Sequence, residues 1–239
     1  MDAGKFLAWN ESVAPGTRRV DLGRIVIPSG RLVFRDPYEY RSGYVALRVS
    51  PGNYEVWSTE VDEGLGFPER AGVYLPAYLS IRLSAAEPDW VAVADELADD
   101  EVPSYGLWTG ADHGLIAAHD ADALEDDDLP SLADDWERAL NAEDNPHRFS
   151  YTNVPLPGDN NANIILSRSG QGDGAFEILA SYDNDGRPVA IHVDFGVVDT
   201  DGSEEAAAKA AARRERRWTA RLRRYVHLIS HRQILRRTG

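Results

Sequence analysis

Apolar positions in this chain fall mostly into short runs with a two-residue period, punctuated by glycine, proline and asparagine. Asn53 to Val61 sets Tyr54, Val56 and Thr59 in a β-branched and aromatic context after the turn pair Pro51-Gly52, which predicts a strand. Val73 to Leu83 and Trp90 to Ala94 read the same way, and Pro76 implies that its strand lies at a sheet edge or begins after it. Arg24 to Ile27 and Arg31 to Phe34 are β-favourable runs joined by Pro28, Ser29 and Gly30, which predicts a tight hairpin. Three more strands are expected at Ile164 to Ser167, Ala175 to Tyr182 and Pro188 to Phe195, the last two joined by the hairpin turn Asp183-Asn184-Asp185-Gly186. The period changes at Leu132, Trp136 and Leu140. Their four-residue spacing predicts a helix from Leu129 or Ser131 to Asn141, and Asn145 to Asn163 reads as a loop.

Strands without a strand-helix alternation exclude a doubly wound parallel sheet. The fold class expected is α+β and β-rich, with antiparallel sheets and one or two helices in the body. Beyond Gly202 the grammar is helical. Ser203 can cap, Glu204 and Glu205 suit a first turn, and an alanine-rich run follows to Ala212. Trp218, Leu222, Tyr225 and Ile229 then step by four, three and four onto one face, with arginines including Arg216 and Arg217 over much of the rest. The reading is therefore an acidic β-rich body at 1–202 and a long basic amphipathic helix at 203–239.

Charge sharpens that division. The chain of 239 residues carries 40 Asp and Glu against 25 Lys and Arg, for a formal charge of -15. Residues 204–239 hold 11 basic and 3 acidic groups, or +8, so residues 1–203 carry -23. Between Asp95 and Asp144 there are 17 acidic residues and one basic residue, Arg138. Such a body repels nucleic acid and attracts a basic partner at long range. The apolar stripe of the tail suits docking on protein, either its own body, a partner or another copy, with Trp218, Leu222, Tyr225 and Ile229 as anchors. No cysteine is present, which removes disulfides, thiolate metal sites and a cysteine nucleophile. The N-terminal residues lack the basic region and apolar run of a secretory signal, and no run of 18 apolar residues occurs, so a cytoplasmic protein with no membrane contact is expected.

Five blocks give the chain a likeness: IPSGRLVFRDP at 27–37, SPGNYEV at 50–56, YLSIRLSAAEPDWVAVA at 78–94, TGADHGLIAAHDADAL at 109–124, and IILSRSGQGDGAFEILASYDNDGRPVAIHVDF at 164–195. They resemble the bacterial domain-of-unknown-function family numbered 4241. Gln171 stands where that family often has an aromatic residue, and Ala175-Phe176 where Ser-Tyr is usual. The resemblance implies a fold and motifs but no reaction, and it does not extend to the basic tail.

Within the last block, Gly170, Gly172 and Gly174 precede a strand rather than a helix, so they do not form a phosphate loop. Gly172, Asp173 and Gly174 are read instead as a tight turn in which Asp173 accepts backbone hydrogen bonds, and Asp183 with Gly186 as the closing hairpin. If the protein is an enzyme, Asp173, His192 and Asp194 are the catalytic candidates, since His192 and Asp194 share a strand face. Asp173, Asp183, Asp185 and Asp194 could also gather round a hard cation for metal-assisted hydrolysis, although their spacing matches no calcium loop. The favoured reading is a non-enzymatic binding or regulatory protein of immunity-protein or conflict-system accessory type, with no metal and no cofactor.

Overall fold

The computed structural model describes residues 1–11, 15–38, 44–63, 71–102, 106–124, 129–158 and 161–198. The chain divides into two units, Met1–Val198 and Asp199–Gly239. The second unit lies outside the described residues. So, therefore, do the long basic helix expected at 203–239 and the residues Arg216, Arg217, Trp218, Leu222, Tyr225 and Ile229.

The described residues form twelve strands and one α-helix. In chain order these are β1 (Thr17–Ile27), β2 (Arg31–Arg35), β3 (Leu47–Arg48), β4 (Gly52–Asp62), β5 (Tyr74–Arg82), β6 (Trp90–Val93), β7 (Trp108–Ala111) and β8 (Leu115–Asp120). The helix α1 (Leu129–Asn141) and the strands β9 (Tyr151–Pro155), β10 (Asn163–Arg168), β11 (Gly174–Tyr182) and β12 (Pro188–Asp194) complete it. The larger sheet runs β1-β4-β5-β12-β11-β6, with β7 also paired to β11, and the smaller runs β3-β2-β8-β10-β9. All pairings between these strands are antiparallel. The body is thus β-rich and antiparallel with one helix, as its sequence predicts.

The main core lies between the sheets. Ile25, Val56, Ile81, Ile178, Ile191 and Val193 of the larger sheet meet Leu32, Phe34, Ile116, Ala118 and Ile165 of the smaller. The outer faces are covered too. Trp136 of α1 is 1% exposed and packs with Ala117, Ile164 and Leu166 on the smaller sheet and with Leu124 beyond β8. Ala3, Phe6, Leu7 and Ala8 cover Tyr78, Val91 and Leu179 on the larger. This double cover explains why β8 does not alternate. Every residue from Leu115 to Asp120 is buried, since one face meets the core and the other lies under α1.

Four expectations need correction. Pro28 to Gly30 do not close a hairpin, because β1 and β2 belong to different sheets. Ser29 instead turns a corner, donating from its backbone N–H and its hydroxyl to the buried Asp120 carboxylate at 2.7 and 2.8 Å. Pro76 is not on an edge strand, since β5 sits between β4 and β12. It is tolerated at a register shift opposite Glu60, beyond the Tyr78–Arg82 stretch that pairs with β12. The segment read as a loop at 145–163 contains β9. Gly174 opens β11 without a positive φ, whereas Gly172 has the positive φ expected of it, 75°, and so does Gly170 of the same turn. At Gly170 φ is 44°, and a Cβ would run into the Pro76 carbonyl oxygen.

Candidate binding cleft

The cleft is built where three loop-proximal pieces meet at one end of the sandwich beside α1. Asp36, just past β2, is 1% exposed, and its carboxylate organises the turn between β7 and β8. One oxygen accepts from the Tyr38 backbone N–H at 2.8 Å. The other accepts from the N–H groups of Asp112 and His113 at 2.5 and 3.2 Å and faces His113 Nδ1 at 3.4 Å. The His113 ring then meets the Tyr38 ring edge-on, 4.9 Å between centroids. A second tie joins this turn to β10, where the Ser169 N–H donates to the Gly114 carbonyl at 3.0 Å.

The opposite wall comes from α1. Tyr38, His113, Leu115 and Arg168 line, with Glu137, Leu140 and Asn141, an open cleft of about 350 Å³. That volume is at the small end of the range for ligand sites. Burial raises the Tyr38 hydroxyl pKa first, and the Glu137 and Asp36 charges raise it further, so this phenol stays protonated as a donor. Arg168 is fixed by an unusual neighbour. Phe149 holds φ at 70° and is 52% exposed. Its N–H caps the Leu140 carbonyl of α1 at 3.1 Å, while its own carbonyl accepts from Arg168 Nε at 2.8 Å. One residue in a backbone state that bulky side chains avoid therefore ties the two walls together.

The chain matches, over residues 25–193, the family model described as "Protein of unknown function (DUF4241)". It belongs to the DUF4241 family. No curated protein and no solved structure matches it. The match runs from the last three residues of β1 to the penultimate residue of β12, so α1, the cleft and all the strands but most of β1 lie within the DUF4241 region. Asp36, His113 and Arg168 come from three of the blocks that carry the family likeness, and the fold brings them together. Sequence reasoning missed this, because 77 residues separate the Asp36 and His113 that meet, and no local spacing marks the pair.

The residues singled out from the DUF4241 blocks are placed differently. Asp173 and Asp183 flank the nine residues of β11, which at ~3.3 Å per residue sets them ~30 Å apart. Asp185 follows Asp183 at one end of the hairpin, whereas Asp194 ends β12 at the other. The four aspartates therefore do not gather, which removes the cation site drawn from them. Among the described residues there is no group of three or more His, Asp or Glu that could hold a metal. Asp173 is exposed and accepts no hydrogen bond among the described residues, contrary to its expected role. Asp183 does what was expected of it. Its carboxylate accepts from the Asp185 and Arg187 N–H groups at 2.9 and 2.8 Å, with Gly186 at φ 76°.

His192 and Asp194 do share the outer face of the larger sheet, but they form no dyad. His192 is fully buried between two hydroxyls, with Nδ1 2.9 Å from Ser80 Oγ and Nε2 2.9 Å from Ser181 Oγ. Phe6 stands edge-on to its ring at 4.9 Å. Burial, and secondarily the Arg19 charge, pull its pKa down to about 3, so the imidazole is neutral and sealed from substrate. Asp194 accepts from the Gly196 N–H at 2.7 Å.

Proposed function

We propose that this protein is a non-enzymatic binding or regulatory protein of immunity-protein or conflict-system accessory type, acting in the cytoplasm through an acidic body that engages a basic partner. The observation that carries this reading is the outward face of α1 and the turn after it. Asp134, Asp135, Glu137, Glu143 and Asp144 are exposed there, and Arg138, paired with Asp135 at 2.6 Å, is the one cation among the helix residues. Elsewhere the acidic segment is partly neutralised, as where Arg31 bridges Asp99 and Asp122 at 2.9 and 2.6 Å. The α1 face thus carries a net negative field, with Arg148 as the exposed cation of the turn, the arrangement that steers an oppositely charged protein surface. In the same proposal the basic tail is a helix that docks or mediates assembly through Trp218, Leu222, Tyr225 and Ile229, with Arg216 and Arg217 setting orientation. The sealing of His192 and the scattering of the aspartates favour binding over the metal-assisted hydrolysis considered from sequence.

The test is co-purification at low and at high salt with the natural chain and with Asp134→Lys/Glu143→Lys/Asp144→Lys. The expected result is a basic protein retained at low salt, released at high salt and absent with the triple variant. Identical capture by both chains, or a captured set without basic proteins, overturns the reading.

A further inference from the structure

The arginines of this acidic body are, in the main, spoken for. Arg18, Arg19, Arg24, Arg31, Arg82, Arg138 and Arg187, seven in all, pair with carboxylates. Arg168 does not. Among the described residues its guanidinium has no carboxylate partner, although it lines a cleft in a strongly acidic protein. Its Nε is held by the Phe149 carbonyl, which fixes the plane of the group and leaves the two terminal nitrogens for a ligand. That is the fork a carboxylate fits with two parallel hydrogen bonds.

The rest of the lining divides by chemistry. His113 is tethered through Nδ1 to a buried carboxylate, so its Nε2 side is turned away from Asp36. Tyr38 supplies a protonated hydroxyl on the same wall. Leu115 and Leu140, 3% and 1% exposed, form the apolar floor, while Glu137 and Asn141 on α1 offer acceptors. Cationic and donor groups on the sheet wall, acceptors on the helix wall and two leucines in the same small cleft match a ligand that is itself dipolar.

We propose that this cleft binds a small zwitterion of the α-amino-acid type with an apolar side chain. Its carboxylate lies on Arg168, with His113 and Tyr38 as further donors, its side chain rests on Leu115 and Leu140, and its ammonium group faces Glu137 and Asn141. Asp36 and Phe149 are positioning residues. The site shares Glu137 with the acidic face proposed above, but the triple variant that tests that face leaves Glu137 in place and the titration below involves no protein partner, so the two readings fail independently.

The experiment is calorimetric titration of the full chain with four probes: L-leucine, leucinamide, N-acetyl-leucine and inorganic phosphate. Leucine is expected to bind saturably at one site. Leucinamide, which lacks the carboxylate, and phosphate, which lacks the apolar part, are expected not to bind, and N-acetyl-leucine is expected to bind about tenfold more weakly for want of its ammonium group. Arg168→Gln is expected to abolish leucine binding while lowering the melting temperature only slightly, since that side chain is exposed and loses one hydrogen bond, the one to the Phe149 carbonyl. Glu137→Gln is expected to bring leucine down to the affinity of N-acetyl-leucine and leave the latter unchanged, a readout that mere unfolding would not give. Absence of leucine binding, equal binding of leucinamide or phosphate, or leucine binding that survives Arg168→Gln overturns the proposal.

Discussion

At the scale of single residues the body uses buried polar groups as fixed struts, and His192 is the one with the clearest energetic signature. The imidazole accepts or donates to Ser80 and Ser181 and is enclosed by Phe6 and Trp57, so charging it would place a cation in an apolar layer. Its folded pKa, about 3, lies below the unfolded value near 6.5. The unfolded chain therefore binds the extra proton first as pH falls. The stability His192 contributes is complete above pH ~6.5 and is lost progectively as pH drops toward the folded pKa, at roughly 1.4 kcal/mol per unit. Urea unfolding between pH 7 and pH 4 should show that slope, and His192→Gln should be shallower by about one proton. Equal slopes for the two proteins would mean that His192 does not carry the linkage. Tyr151 shows the same economy between the sheets, where its hydroxyl donates to the buried Glu60 at 2.8 Å and meets Ser58 Oγ at 2.7 Å. Burial raises its pKa further, beyond the ordinary phenol range.

At the scale of elements, the free edge of β1 is closed by side chains rather than by a strand. Asn163 of β10 accepts from the Val26 N–H at 2.7 Å and donates to the Arg24 carbonyl at 2.7 Å. Asn153 of β9 donates to the carbonyls of Leu22 and Arg24 at 3.2 and 3.1 Å and accepts from Asn163 at 2.6 Å. Two amides thus join the sheets and cover an edge that would otherwise be open to pairing. Asn163→Ala strips partners from a half-buried N–H and carbonyl and should cost ~1–3 kcal/mol, whereas Asn163→Asp keeps the acceptor and loses the donor. Denaturant midpoints for the two variants check this, with the aspartate change expected to be the larger, since it sets a buried carboxylate against the Arg24 carbonyl and Asn153 Oδ1. Much of the element inventory was legible: β4, β5, β6, β10, β11, β12 and α1 stand within a residue or so of the positions their periodicity predicts. What periodicity does not encode is which sheet a strand joins. Pro28-Ser29-Gly30 has hairpin composition, but Asp120, some ninety residues away, recruits Ser29 to a corner. β9 was hidden because its asparagine and its proline read as loop, although Asn153 is there to hold β1. The cleft was hidden for the same reason, since Asp36, His113, Glu137 and Arg168 are related by topology and not by spacing.

At the scale of the whole molecule the two units carry opposite charge. Residues 199–239 contain 11 basic and 5 acidic groups, or +6, which leaves -21 on residues 1–198. The described hydrophobic clusters all lie within 1–198, and both faces of both sheets are supplied with cover from that same segment. Residues 1–198 should accordingly fold as a separate protein with a melting temperature close to that of the full chain. The tail has its own apolar stripe. Fully burying Trp218, Leu222, Tyr225 and Ile229 is worth roughly 1.5–3 kcal/mol each, more than surface arginine pairs supply at roughly 0–1 kcal/mol each. In the reading proposed for the tail, apolar docking then sets the strength of association and the arginines set its orientation and salt dependence. Light scattering of the full chain and of Trp218→Ala/Leu222→Ala should show that the double change lowers the mass in solution even at low ionic strength. Reversing Arg216 and Arg217 should instead leave the low-salt mass unchanged and alter how it falls with salt. The opposite ranking, with the arginine reversals dissociating the assembly and the apolar changes silent, would make the tail an electrostatic arm, and nucleic acid would then return as a candidate partner.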